Sequence, residues 1–346
     1  MRGIWKKGFV TVAFFLFSFL VINESGSIVE YVAFVRGGDA METTVRNAYL
    51  IREPSVDPAR LSPEQKQLYD RISAEAEKRR IEPIDARVDP VWKAIPGLDG
   101  EEVDIERTFR MAVQSKKGSD IAFVVRPVAP KINLDDLGAQ PIYKGNPHKP
   151  MISLMINVAW GNEYIPGMLE TLRKENVKAT FFLDGKWLKN NPDVAKQIMA
   201  EGHEMSNHAY SHKDMSRLSE AAARDEIGKT QQLLKDILGV DNKLFAPPSG
   251  DYDQDTVRIA HDMGLRTVLW TIDTVDWKKP PVGSVIRKIS ARLEPGSLIL
   301  MHPTHSSRGA LPGIIAEAKR RGLAISTVSD TLSPNRVQTI GTPPGF

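Results

Sequence analysis

Beyond residue 150 the chain alternates short apolar runs with helix-like stretches, and this alternation limits the fold more than any other property of its 346 residues. Strand candidates lie at 151–159, 179–183, 204–207, 243–246, 267–272, 298–301 and 324–328. A stretch opening near Ser219 carries Ala223, Ile227, Leu234 and Ile237 close to one face at helical spacing. Apolar strands separated by helices imply a parallel sheet covered by those helices, so an α/β fold is expected, one that can close as a barrel. Such barrels gather their chemistry at C-terminal strand ends. His208, Asp273 and His302 all fall just past expected strand ends and are candidates to meet there.

The stretch HEMSNHAYSH contains an H-x-x-x-H pair, His208 and His212, following Gly202 and a helix-like segment. At this spacing two imidazoles can face one cation from a loop or a first helical turn. Neutral imidazoles suit zinc or a similar divalent metal, but two of them make only part of a tetrahedral site. The same spacing also arises on solvated helices with no metal role. There is no cysteine, so disulfides, thiolate nucleophiles and cysteine-based metal sites are excluded.

Upstream, the chain reads as a series of smaller units. Arg2, Lys6 and Lys7 precede an almost unbroken apolar run over 8–22. That run is long for a signal-peptide core and short of the ~20 residues that span a bilayer comfortably. Residues 1–27 are thus a signal peptide or a signal anchor, the positive flank keeping the N-terminus cytoplasmic and the remainder outside. Residues 28–60 read as a tether. Over 61–130 a small α+β domain is expected: a helix capped by Ser62, with Pro63 at its first position and Gln65 completing a capping box, then extended stretches at 84–88 and 121–125 around a short helix at 105–113. It loosely resembles small wall-binding modules of exported proteins, and a plain spacer is the other reading. Residues 131–147, rich in proline and glycine, read as a linker, and 336–346 as a tail. A hydrophobic content of 41% supports a sizeable core, and a net charge of only +3 offers no basic face for nucleic acid.

Five segments in order, KATFFLDGKWL, GHEMSNHAYSH, FAPPSGDY, DTVDW and LILMHP, resemble the polysaccharide deacetylase family, the NodB homology domain, over 148–335. The resemblance implies a distorted (β/α) barrel of about seven units and metal-dependent removal of acetyl groups from N-acetylated cell-wall polysaccharide. Hydrolysing an amide needs a metal to polarise the carbonyl, a base for the water and an acid for the leaving amine. In the family, a T-F-D-D-G motif supplies the base and one metal ligand, and the histidine pair supplies the other two. By that resemblance His208 and His212 are metal ligands, His302 is the general acid and Asp276 the carboxylate that orients it. Trp277 forms a wall of the sugar groove, which Pro248 and Ser249 help to line.

The first motif departs from the pattern. Its counterpart is MINVAWG, which places Asn157 at the base position and Val158 at the ligand position. An amide cannot take a proton from water at neutral pH, and an isopropyl group cannot bind metal. The third motif has Ala246 where the family has arginine, and Ser249 where it has an aromatic. An arginine that served the base carboxylate has no partner once that carboxylate is gone, so the losses are mutually consistent. INVAWGNEY is similar to the divergent first motif of deacetylase-like proteins associated with sporulation. Two functions remain open: a hydrolase that recruits another base, Glu163 or Asp184, and a pseudoenzyme that binds wall glycan without the chemistry. His203 lies beside the second motif without matching a ligand, and His148, His261 and His305 match no motif.

Overall fold

The computed structural model describes residues 55–115 and 120–337. The expected membrane segment and most of the tether and tail lie outside them. Among the described residues no helix is long and apolar enough to cross a membrane. The first helix, α1 (Pro63–Arg79), starts with the expected capping box: Gln65 N–H donates to Ser62 Oγ, and Ser62 N–H to Gln65 Oε1.

Residues from Leu68 onward form one compact unit. Its first part holds two antiparallel pairs, β1 (Arg87–Asp89) with β2 (Lys93–Ile95) and β3 (Gly100–Val103) with β4 (Val125–Val128). Helix α2 (Ile105–Gln114) follows β3 and is capped by Asp104. The extended stretch expected at 121–125 pairs instead at Val125–Val128. The residues before it are used on α2, where Val124 N–H donates to Thr108 Oγ1 and Val124 O accepts from Asp104 N–H.

The remainder is a curled parallel sheet. It comprises β5 (Met151–Val158), β6 (Thr180–Leu183), β7 (Glu204–Asn207), β8 (Leu244–Phe245), β9 (Arg266–Thr267), β10 (Ile272–Asp273) and β11 (Leu298–Met301), with β12 (Ala324–Ser326) also on β5. The seven-strand path runs β10-β11-β5-β6-β7-β8-β9. It is an open half-barrel rather than a closed ring, because the run expected as one strand at 267–272 is split. β9 ends one edge of the sheet and β10 begins the other, with Val268–Thr271 crossing between them.

That seam is covered by residues expected to be a linker. Ile142 N–H donates to Thr267 O, Leu269 N–H to Ile142 O, and Thr271 Oγ1–H to Tyr143 O. Ile142 is buried beside Val268 and Leu298. The backbone groups of 142–145 therefore find partners as a strand would, without the alternating pattern that would reveal one.

Side chains of β5 alternate between two cores. Ile152, Leu154, Ile156 and Val158 belong to the larger cluster, with Ile165, Met168 and Leu311 of the covering helices. Met155 belongs to the opposite face, with Phe182, Ala246 and Val268. Each such side chain contributes about 1.5–3 kcal/mol by leaving water. Period-two alternation sends Asn157 to the Met155 face, and this decides what the site can contain.

Candidate active site

Four parallel strands deliver the expected residues to one rim. Asn157 is near the end of β5, His208 follows β7, Asp276 follows β10 and His302 follows β11. The histidine pair is not on a helix: it lies in the loop after β7, with Ala209 and His212 both at positive φ. The rings meet edge to face, centroids 5.2 Å apart.

His208 is buried, and its Nδ1–H donates to Ala246 O at 2.7 Å, which fixes the tautomer. The Nε2 lone pair is left toward the site, 3.5 Å from Asn157 Nδ2. Burial first, then His212 and His302, push its pKa down to about 3, so it remains a neutral imidazole. Asn157 Oδ1 is buried with no hydrogen-bond partner.

The loop that carries His212 is clamped by Glu226, a buried residue of the helix Glu220–Leu238 that sequence reasoning missed. Its carboxylate accepts from Tyr210 N–H, Ser211 N–H and Ser211 Oγ–H and pairs with Lys213. Burial alone would raise its pKa, but the Ser211 hydrogen bonds and Lys213 outweigh burial and lower it. An acidic residue in a charged helical stretch, next to Asp225, gives no sequence signal of this role.

Nearby lies a hydrogen-bonded pair, His302 and Asp276. His302 Nδ1–H donates to Asp276 Oδ1 at 2.8 Å, and His302 N–H to Asp276 Oδ2 at 2.7 Å. Thr304 and Ser307 hydroxyls also donate to Oδ2. Burial would push the fully buried Asp276 up, but these donors, His302 foremost, hold its pKa below the usual value. The turn is strained, with β-branched Val275 at φ 56. His302, 18% exposed, thus presents Nε2 in a fixed orientation, as a proton donor to a leaving group requires.

Trp277 is 53% exposed, with the Lys278 ammonium 4.8 Å from its ring centroid. Pro248 is buried and Ser249 exposed in a turn where Ser249 takes φ 56. The structure also brings Trp160, which sequence reasoning passed over, alongside His302: the rings are parallel to within 8°, centroids 5.9 Å apart.

Several expected residues are not brought in. Val158, at the ligand position by motif, is buried in the helix-side cluster with Ile152, Leu154 and Ile156. Asp184 Oδ1 caps α4 (Gly185–Asn190) through Trp187 N–H, and burial raises its pKa. Glu163 is exposed in the turn before α3 (Ile165–Lys174). His203 is buried, with Nδ1 accepting from Ala179 N–H. His148, His261 and His305 are exposed.

A hydrolytic zinc site takes about three protein ligands. Here the His208 imidazole faces a carboxamide with His212 beside it, and among the described residues no group of three His, Asp or Glu side chains is arranged to hold an ion. The donor set does not fit the metal that the fold implies.

A family model for polysaccharide deacetylases matches residues 144–268. A peptidoglycan-N-acetylglucosamine deacetylase of Bacillus cereus is 32% identical over 191 residues, 54% of this chain and 70% of that one. The chain belongs to the polysaccharide deacetylase family. The uncharacterized protein YlxY of Bacillus subtilis is 38% identical over 334 residues, 96% of this chain and 99% of its own length. Among solved structures, BA3943 of Bacillus anthracis, described as a CE4 family pseudoenzyme, superposes with a TM-score of 0.71 at 40% identity, covering 78% of this chain and 96% of that one. A BA3943 mutant described as having restored enzymatic activity also superposes, with a TM-score of 0.71 at 38% identity. This chain is therefore a homologue of peptidoglycan deacetylases and of a pseudoenzyme of the same family, and its half-barrel is that family's fold.

Proposed function

We propose that the chain is a pseudoenzyme that binds N-acetylated wall glycan outside the cytoplasm and does not deacetylate it. The observation that carries this reading is the pairing of Asn157 with His208. At the point where water would lose its proton stands an amide, whose nitrogen donates toward the imidazole. It cannot take up that proton. Val158 offers no ligand, and Ala246 contributes only its carbonyl, to His208.

What survives serves recognition. The exposed indole of Trp277 offers an apolar face to a pyranose ring, and His302 and Asp276 remain ordered beside it. The likeness to BA3943 supports loss of activity, and the likeness to peptidoglycan deacetylases supports the choice of glycan. Attachment through the N-terminal segment, as an anchor or a cleaved signal, rests on the sequence pattern alone, and a role in sporulation rests on the first-motif resemblance. Incubating the full-length chain with peptidoglycan and measuring bound protein and released acetate tests the reading. Binding without acetate is expected, and sustained acetate release would refute it.

A further inference from the structure

An exposed tryptophan is unremarkable on its own. Trp160 differs because its loop is built to hold it. Gly161 takes φ 86, and a Cβ there would lie 2.1 Å from Pro303 O, so only glycine lets this loop close against the residue after His302. On the next residue, Asn162 Nδ2 donates to Asn191 Oδ1, while Trp187 Nε1–H donates to Asn162 Oδ1, both at 2.6 Å. Between these fixed points the Trp160 indole is 46% exposed and parallel to the His302 imidazole. Gly161 and Asn162 thus tie down a large apolar side chain that remains half in water.

We propose that Trp160 is a sugar-stacking residue, receiving the apolar face of an N-acetylhexosamine unit that lies against His302, so that Trp160 adds a second indole to Trp277 in holding the glycan. This rests on the glycan-binding reading above. A held indole loses little conformational entropy on binding, and a pyranose presents axial C–H groups to it. Trp160, Gly161 and Asn162 give the loop a task that does not need Asn157 or Val158 to react.

The test is calorimetric titration of the full-length chain with the tetramer of N-acetylglucosamine, repeated with a peptide-free peptidoglycan tetrasaccharide. Trp160→Ala should weaken binding by roughly fivefold to tenfold, and Trp160→Tyr, which keeps a stacking face, by no more than about threefold. Thermal melting of both variants should match the native chain, because the indole is half-exposed. Binding by Trp160→Ala equal to or tighter than native, with the fold intact, overturns the inference and leaves the glycan-binding reading standing. Failure of the native chain to bind either oligosaccharide overturns that reading, and the inference falls with it.

Discussion

Lowering the pH from 8 to 5 should cost the fold about 4 kcal/mol, through two buried histidines. His208 and His203 are both buried, and burial lowers their pKa values to about 3 and about 4. A histidine held neutral in the fold takes up its proton only on unfolding. Below about pH 6.5 the unfolded chain then binds more protons than the folded one, so stability falls as the pH falls. At pH 5 each group contributes about 2 kcal/mol of this loss, against a total stability for a typical domain of about 5–15 kcal/mol. Urea denaturation at pH 8, 6.5 and 5, with chelator present, measures it. Replacing His203 by Gln removes one of the two groups and should roughly halve the loss. A stability independent of pH across this range would show that His208 is not held neutral, and the assignment of its Nε2 lone pair toward Asn157 would fail.

Other expectations follow from named contacts. Asp276→Asn, which removes the charge from a carboxylate that accepts four hydrogen bonds, should destabilise the chain by about 2–4 kcal/mol in denaturant titration. Glu226→Ala leaves Tyr210 N–H and Ser211 N–H without their partner and should cost about 2–3 kcal/mol, with protease cleavage increasing in the loop that carries His212. Val158→Asp puts a carboxylate into an apolar cluster. It should lower the melting temperature, and zinc should restore part of that loss only if the new carboxylate turns toward His208.

Much of the half-barrel is legible in the sequence because buried parallel strands are continuous apolar runs. The strand over 298–301, all apolar, matches its expected limits, as does that over 204–207 although only Met205 in it is apolar, and Ser219 caps its helix as its position before the apolar face implies. The 267–272 run misleads because Val268 and Leu269 are buried like strand residues while the backbone there pairs with Ile142 across the seam. The motif residues are legible as chemistry. Val158 is not, since only the period of β5 reveals that its side chain turns away from Asn157. Trp160 and Glu226 matter through contacts with His302 and the 210–213 loop, distant in sequence, and no local pattern announces such contacts.

Acetate release from N-acetylated wall glycan tests the central claim most directly, comparing the native chain, Asn157→Asp, Val158→Asp, Ala246→Arg and the three combined. Base, metal ligand and the cation beside them act as a unit, so their effects are far from additive. An arginine at buried position 246 has no carboxylate to meet until Asn157 is changed. The native chain and each single variant should release no acetate above background, while the combined variant, supplied with zinc, should, its new carboxylate at position 158 turning out of the apolar cluster toward His208. Robust release by the native chain, abolished by His302→Ala, would contradict the account.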